Sequence, residues 1–344
     1  MKDMYKYKKI VAVLLCLCAA VLIFSSCKPG NEKKSRGFEA MDTYMNIDVY
    51  GANEALLDEL EASIEELDGR LSVTSSGSEI YKLNKDGSAK ISASTADLVR
   101  QTLKLCADTD GALDITIQPV VEEWGFISGD YKIPSEERLK SLTESVDYRM
   151  VSCGGSDISF EKKGMKAGFG AVAKGYAADE AVRLLKEKGC ESAILNLGGT
   201  VAAYGKKPDG SNWKVGIADP ENSASYIGYV SCSNKIAATS GSYERYFKGD
   251  DGKIYSHIID PKTGRPVDNG ILSVTIISDS GLLSDALSTA LFVMGREAAE
   301  NYRAENGGFD FIILTKDKKA YVTKTISDSF TVSEGEGYEK VIVE

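Results

Sequence analysis

Two hydrophobic periods run through this chain without settling into a regular alternation, and that irregularity limits its fold more than any other feature. Leu56, Leu60, Ile64, Leu67 and Leu71 recur at spacings of three and four, which predicts an amphipathic helix over Asn53–Leu71. Further helices are expected from a Ser94 or Thr95 cap to about Asp108, and over Ser135–Leu142 behind Pro134. Others should run from Val172 to Lys188 before Gly189, from a Ser284 cap to Met294, and over Glu297–Asn306. Strand signals lie at Thr43–Tyr50, Leu113–Val121, Tyr148–Ser152, Ile158–Glu161, Ser192–Leu197, Leu272–Ser278, Phe309–Leu314, Ala320–Thr323 and Ser327–Ser333. Short strands broken by Gly, Pro, Asn and Asp fill 200–260. Hairpin-like runs with helices set among them, in place of steady βαβ units, predict an α+β fold. With 344 residues, 43% of them hydrophobic, the chain can bury one large core.

The N-terminus reads as an address. Lys2, Lys6, Lys8 and Lys9 precede an apolar run from Ile10 to Phe24, shorter than the roughly 20 residues a spanning helix needs and suited to a secretory signal. The run ends in Phe24-Ser-Ser-Cys27, which resembles a bacterial lipobox. The expected mature protein loses residues 1–26, carries lipid on Cys27, and sits on the extracytoplasmic or periplasmic side of a bacterial cell membrane. An uncleaved single-span anchor is the alternative. Residues 27–37, polar with Pro29 and Gly30, read as a tether, and 38–344 as the domain. Cys106, Cys153, Cys190 and Cys232 remain of the seven cysteines, widely spaced and without C-x-x-C, which argues against a cysteine metal site. Free buried thiols are the default, and a disulfide is the alternative outside the cytoplasm. A net charge of −10 and the lack of a basic, aromatic-interleaved patch exclude nucleic acid as the expected partner.

Three stretches hold residues suited to chemistry. Tyr255-Ser-His-Ile-Ile-Asp-Pro-Lys-Thr-Gly-Arg-Pro266 carries the only histidine, His257, on a short strand, with Asp260 opening the turn after it. Gly168-Phe-Gly-Ala-Val-Ala173 fits G-x-G-x-x-A ahead of a helix, but the charged Glu161–Lys166 stretch is not the apolar strand that precedes a Rossmann loop. Asp285 and Thr289 lie four apart, on one helix face, and carboxylate plus hydroxyl is hard-oxygen chemistry suited to Mg²⁺.

The His257 stretch resembles a signature of the ApbE family of FAD:protein FMN transferases. Gly111-Ala-Leu-Asp-Ile-Thr-Ile117, Gly170-Ala-Val-Ala-Lys-Gly-Tyr176 and Ser284-Asp-Ala-Leu-Ser-Thr-Ala290 agree with the family in its own order. The resemblance runs from about Met41 to near the C-terminus. It implies a single compact unit of two T-fold-like halves, and Mg²⁺ held by Ala171, Asp285 and Thr289. It implies FAD contacts at Met41, Ala112, Leu113, Asp114, Gly168 and Ile259, with Lys174 near the pyrophosphate. Gly168 stands where the family often has Asp, and Thr74, in the polar loop Ser72–Gly77, where it often has an aromatic.

The implied reaction is Mg²⁺-dependent transfer of FMN from FAD, the substrate, to a threonine hydroxyl of an acceptor protein, with AMP released. His257 would take the hydroxyl proton, Asp260 would orient its surroundings, and Asp285 would serve the chemistry through the metal. Redox-pump subunits and FMN-binding-domain proteins are the implied acceptors. An FAD pyrophosphatase using water, and a lipoprotein that only binds flavin, are the alternatives.

Overall fold

A computed structural model describes residues 32–333 and 337–344; the signal segment and Cys27 lie outside the described residues. Its spine is a nine-stranded sheet. In spatial order the strands are Lys33–Ala40, Thr43–Tyr50, Ser192–Asn196, Thr200–Gly205, Lys235–Gly241, Ile271–Ser278, Phe309–Thr315, Lys319–Thr323 and Glu339–Val343. Every pairing is antiparallel except the last, between Lys319–Thr323 and Glu339–Val343. The α+β expectation holds.

Both faces of this sheet are covered, which explains strands with continuous apolar runs rather than clean alternation. The helices are α1 (Glu54–Leu71), α2 (Glu79–Asp86), α3 (Ala93–Asp108), α4 (Gln118–Glu123), α5 (Glu136–Thr143), α6 (Ala173–Glu187), α7 (Gly281–Met294) and α8 (Arg296–Asn306). On one face, α1, α3, α6 and α7 bury Leu60, Ile64, Leu98, Ala178 and Ala286 against Ile47, Leu195 and Ile236. On the other, a small sheet of Trp213–Asp219, Asn222–Cys232 and Phe330–Val332 packs Trp213, Val215, Ile227 and Phe330 on Ala237, Ile277 and Ile312. Ile276 and Ile277 thus point into different cores, as the period of two requires.

Four local expectations need correction. Lys33–Gly37 are not tether: they pair residue by residue with Ile47–Tyr50 and their neighbours as the first half of an edge strand. The strand hides in the sequence because its inner positions are polar; Arg36 reaches Glu61 at 2.5 Å and Asp58 at 2.7 Å on α1. Charged side chains on an edge strand also guard against pairing with another chain. Leu113–Val121 is a 3-10 turn at Ile115–Ile117 running into α4, where Pro119 takes a first-turn position that needs no N–H. Tyr148–Met150 is likewise a 3-10 turn, and the strand begins at Val151. Of Ser327–Ser333, only Phe330–Val332 is strand. The caps move too: Ser92 caps α3 and Ser280 caps α7, each accepting a backbone N–H in the first turn.

The crossing of α6 and α7 positions the residues of the site. Gly175 and Gly281 meet where the helices cross, and a Cβ on either would collide with the other's carbonyl. Asp179 of α6 caps α7 from outside: Oδ1 accepts from Gly281 N at 2.6 Å, and Oδ2 from Leu282 N at 2.9 Å and Ser280 Oγ at 3.1 Å. Cys106, Cys153, Cys190 and Cys232 are free, and burial pushes the Cys106 thiol up to about 12 and Cys232 to about 11, so both stay protonated.

Candidate active site

The site is assembled where the start of α6, the first turns of α7, and the segment Ser240–His257 converge. Asp285, 3% exposed on α7, accepts from Gly175 N at 2.9 Å through Oδ2. Among the described residues its Oδ1 takes no hydrogen bond. Thr289 lies one turn on, its Oγ1 3.1 Å from Ser240 Oγ, which also meets Ser288 Oγ at 2.7 Å. Ala171, half-buried, lies in the turn that enters α6 two residues later. A buried carboxylate with one oxygen free of hydrogen bonds, a hydroxyl and a backbone carbonyl are hard-oxygen donors whose chemistry would suit Mg²⁺ rather than a thiophilic ion. No group of three or more His, Cys, Asp or Glu side chains able to hold a metal occurs among the described residues.

His257 is held from one direction. Its backbone N–H donates to the Arg245 carbonyl at 3.0 Å, and its Nδ1 lies 3.1 Å from the same oxygen. A carbonyl only accepts, so Nδ1 carries the proton and Nε2 keeps a free lone pair. Asp260 does not take part: its oxygens accept from Lys262 N at 2.8 Å and Thr263 Oγ1 at 3.1 Å, closing its own turn. The expected orienting role passes to the Arg245 carbonyl.

His257 is half-exposed and Glu244 exposed, yet protein crowds both, as at the wall of a cleft. Exclusion of water pushes the imidazole pKa down to about 4, against the help of the Arg245 carbonyl; the Arg245 and Lys174 charges lower it further. The same desolvation pushes the Glu244 carboxyl up to about 7; Lys174 and Arg245 oppose the rise and Asp285 adds to it. Lys174, Glu244, Asp285 and His257 therefore share one electrostatic neighbourhood. The His257 imidazole is therefore predominantly neutral at neutral pH. Being the only histidine, it can be followed without assignment: its ring C–H resonances should titrate near pH 4, and a midpoint at 6–7 would contradict this environment. As pH falls from 6.5 towards 4, the unfolded chain takes up a proton the folded one refuses, so folding stability should decline in that window.

The positions expected to contact FAD divide. Met41 and Asp42 form the two-residue turn between the first two strands with φ of 52° and 58°, a left-handed pair unusual without Gly or Asn. Asp68 of α1 holds the Met41 N–H at 3.0 Å, and Asp42 reaches Arg245 at 3.5 Å. Gly198 lies against Thr43, and Glu244 Oε1 is 3.7 Å from where a Gly199 Cβ would be, so this turn borders the same cleft. Ala112, Leu113 and Ile259 are 9%, 3% and 6% exposed in core clusters. Asp114 spends Oδ1 on Thr116 N and Oγ1, at 2.8 and 2.6 Å, and Oδ2 on Tyr148 N at 3.0 Å. Burial raises its pKa, and its carboxylate serves as a turn anchor. Gly168 donates to the Ile115 carbonyl at 2.9 Å, and the Gln118 side chain occupies the space a Cβ there would need. Thr74 is exposed, its Oγ1 3.2 Å from Ser72 Oγ. Glu244 and the Arg245 carbonyl escape sequence reasoning; nothing local distinguishes a Glu that the fold will desolvate.

The model of the ApbE family matches residues 41–313. The chain belongs to the ApbE family. The FAD:protein FMN transferase of Vibrio cholerae is 30% identical over 82% of this chain and 88% of its own length. The FAD:protein FMN transferase of Escherichia coli K12 is 30% identical over 93% and 97%. The crystal structure of the ApbE protein of Thermotoga maritima superposes with a TM-score of 0.80 at 28% identity, covering 87% of this chain and 99% of that one. Agreement over nearly the whole of each relative extends the likeness from the His257 stretch to the sheet and both helices of the α6/α7 crossing.

Proposed function

We propose that this ApbE-family chain transfers FMN from FAD to a threonine hydroxyl of an acceptor protein. The acceptor oxygen bonds to the FMN phosphorus, the anhydride bond to AMP breaks, AMP leaves as a phosphate, and the hydroxyl proton goes to His257 Nε2. The observation that carries the reading is the fixed tautomer: a neutral imidazole with Nε2 free, in the same cleft as the buried Asp285 carboxylate. Asp285, Thr289 and the Ala171 carbonyl would hold Mg²⁺, which when bound supplies positive charge to a pyrophosphate. Lys174 adds a fixed charge to the same cleft, where exclusion of water strengthens it.

His257→Gln keeps a side-chain group for the Arg245 carbonyl but has no basic nitrogen. It should slow acceptor flavinylation by about 10²–10⁴-fold with FAD affinity retained. An unchanged rate would remove His257 from the proton transfer. The acceptors we infer are proteins such as redox-pump subunits or FMN-binding-domain proteins. The Lys-rich, apolar, Ser-Ser-Cys27 order supports a location as well: a lipid anchor on the extracytoplasmic face. Cys27→Ala should abolish incorporation of labelled lipid, and persistence of residues 1–26 in the mature chain would overturn that location.

A further inference from the structure

Eight large hydrophobic side chains are exposed among the described residues, and three of them, Ile127, Tyr131 and Ile133, fall in one short segment, which lies against a second segment, the ribbon of Tyr246–Lys248 and Ile254–Ser256. The segments are packed together. Tyr131 stacks on Phe247 with ring centroids 5.0 Å apart and planes 10° from parallel, and Ile133 Cδ1 lies against Gly249. Phe126, in contact with both Tyr131 and Phe247, presents an edge to the His257 ring at 6.4 Å. The exposed Tyr131 is thus linked to the His257 ring through the buried Phe126 side chain. Clusters of this kind on a soluble fold mark contact sites, and tyrosines and aliphatics in the middle of a charged rim are what protein interfaces use.

We propose that this aromatic apron is the docking surface for the acceptor protein. The inference rests on the transferase reading: an acceptor hydroxyl must come within about 3 Å of His257 Nε2 to give up its proton, so the polypeptide around it must cover what borders His257. The two segments carry Asp130, Asp250 and Asp251 against Lys132, Lys248 and Lys253, a balanced rim that suits a protein of mixed charge. A surface meant for anionic lipid would carry an excess of lysine.

The test pairs Ile127→Ser with Ile133→Ser, two exposed positions outside the site chemistry. The probe is a purified FMN-binding-domain protein that the unchanged chain flavinylates, titrated at saturating FAD and Mg²⁺. Thermal midpoint and FAD binding should match the unchanged chain, while kcat/KM for the acceptor falls by about 10–100-fold. Equal kcat/KM for both chains would overturn the docking surface and leave the reaction standing. Loss of flotation with phosphatidylglycerol vesicles at unchanged kcat/KM would assign the apron to the membrane and overturn it as well. If the unchanged chain flavinylates no such protein, the reaction itself falls, and the docking surface with it.

Discussion

Asp285→Asn is expected to fold normally and to lose divalent-dependent turnover of FAD. The amide keeps an oxygen for Gly175 N–H, now at 2.9 Å, so the α6/α7 crossing survives. What disappears is the only carboxylate of the candidate metal set, and a hydroxyl with a carbonyl holds Mg²⁺ poorly. The loss should reach at least the 10²–10³-fold scale on which single preorganised electrostatic contacts act. Asp285→Ala should do the same and also leave the Gly175 N–H without a partner, which costs about 1–3 kcal/mol of stability. AMP release measured against Mg²⁺ concentration for both variants separates the two effects. Full turnover by Asp285→Asn, or in excess chelator, would rule the metal site out.

Gly175→Ala should be the most damaging of the small substitutions. Its Cβ would collide with the Gly281 carbonyl and lie 2.6 Å from Asp285 Cβ, so backbone must move, not a flexible side-chain end. Overpacking of this kind costs on the order of 3 kcal/mol or more. Because Gly175 N anchors Asp285, the same shift should weaken Mg²⁺ binding. Gly69→Ala, in an exposed part of α1 with nothing within 4 Å of the new Cβ, is the control and should stabilise by about 0.5–1 kcal/mol. Thermal midpoints for the pair decide: a Gly175→Ala midpoint equal to that of the unchanged chain would mean that the crossing is looser than its geometry says.

The amphipathic elements are legible in the sequence, because burial on one face leaves a period. Leu56–Leu71 and the helix after Gly170 are readable for that reason. Elements whose inner face is polar or whose partner is distant leave no such trace. The strand from Lys33 looks like a tether because Arg36 faces carboxylates on α1. Ile115-Thr-Ile117 has strand composition, yet the Asp114 cap and Pro119 turn it into helix. Local pattern favours Ser284 over Ser280 as the α7 cap, because the external cap that fixes the true start, Asp179, comes from a hundred residues away in the chain. The site divides in the same way. His257, Asp285, Thr289 and Lys174 stand in motifs; the Arg245 carbonyl that fixes the imidazole tautomer has no side-chain signature, and the neighbouring Asp260 draws the role instead. Glu244 gains its perturbed acidity only from residues brought together by the fold.

Flavinylation of protein is the central claim, and intact mass of an acceptor tests it most directly. An FMN-binding-domain protein incubated with this chain, FAD and Mg²⁺ should gain the mass of one FMN less one water, with one AMP released per acceptor modified. Replacing the acceptor threonine by alanine should abolish the gain. Free FMN appearing in step with AMP, while the acceptor keeps its mass at saturating concentration, would contradict the account and make this chain an FAD pyrophosphatase.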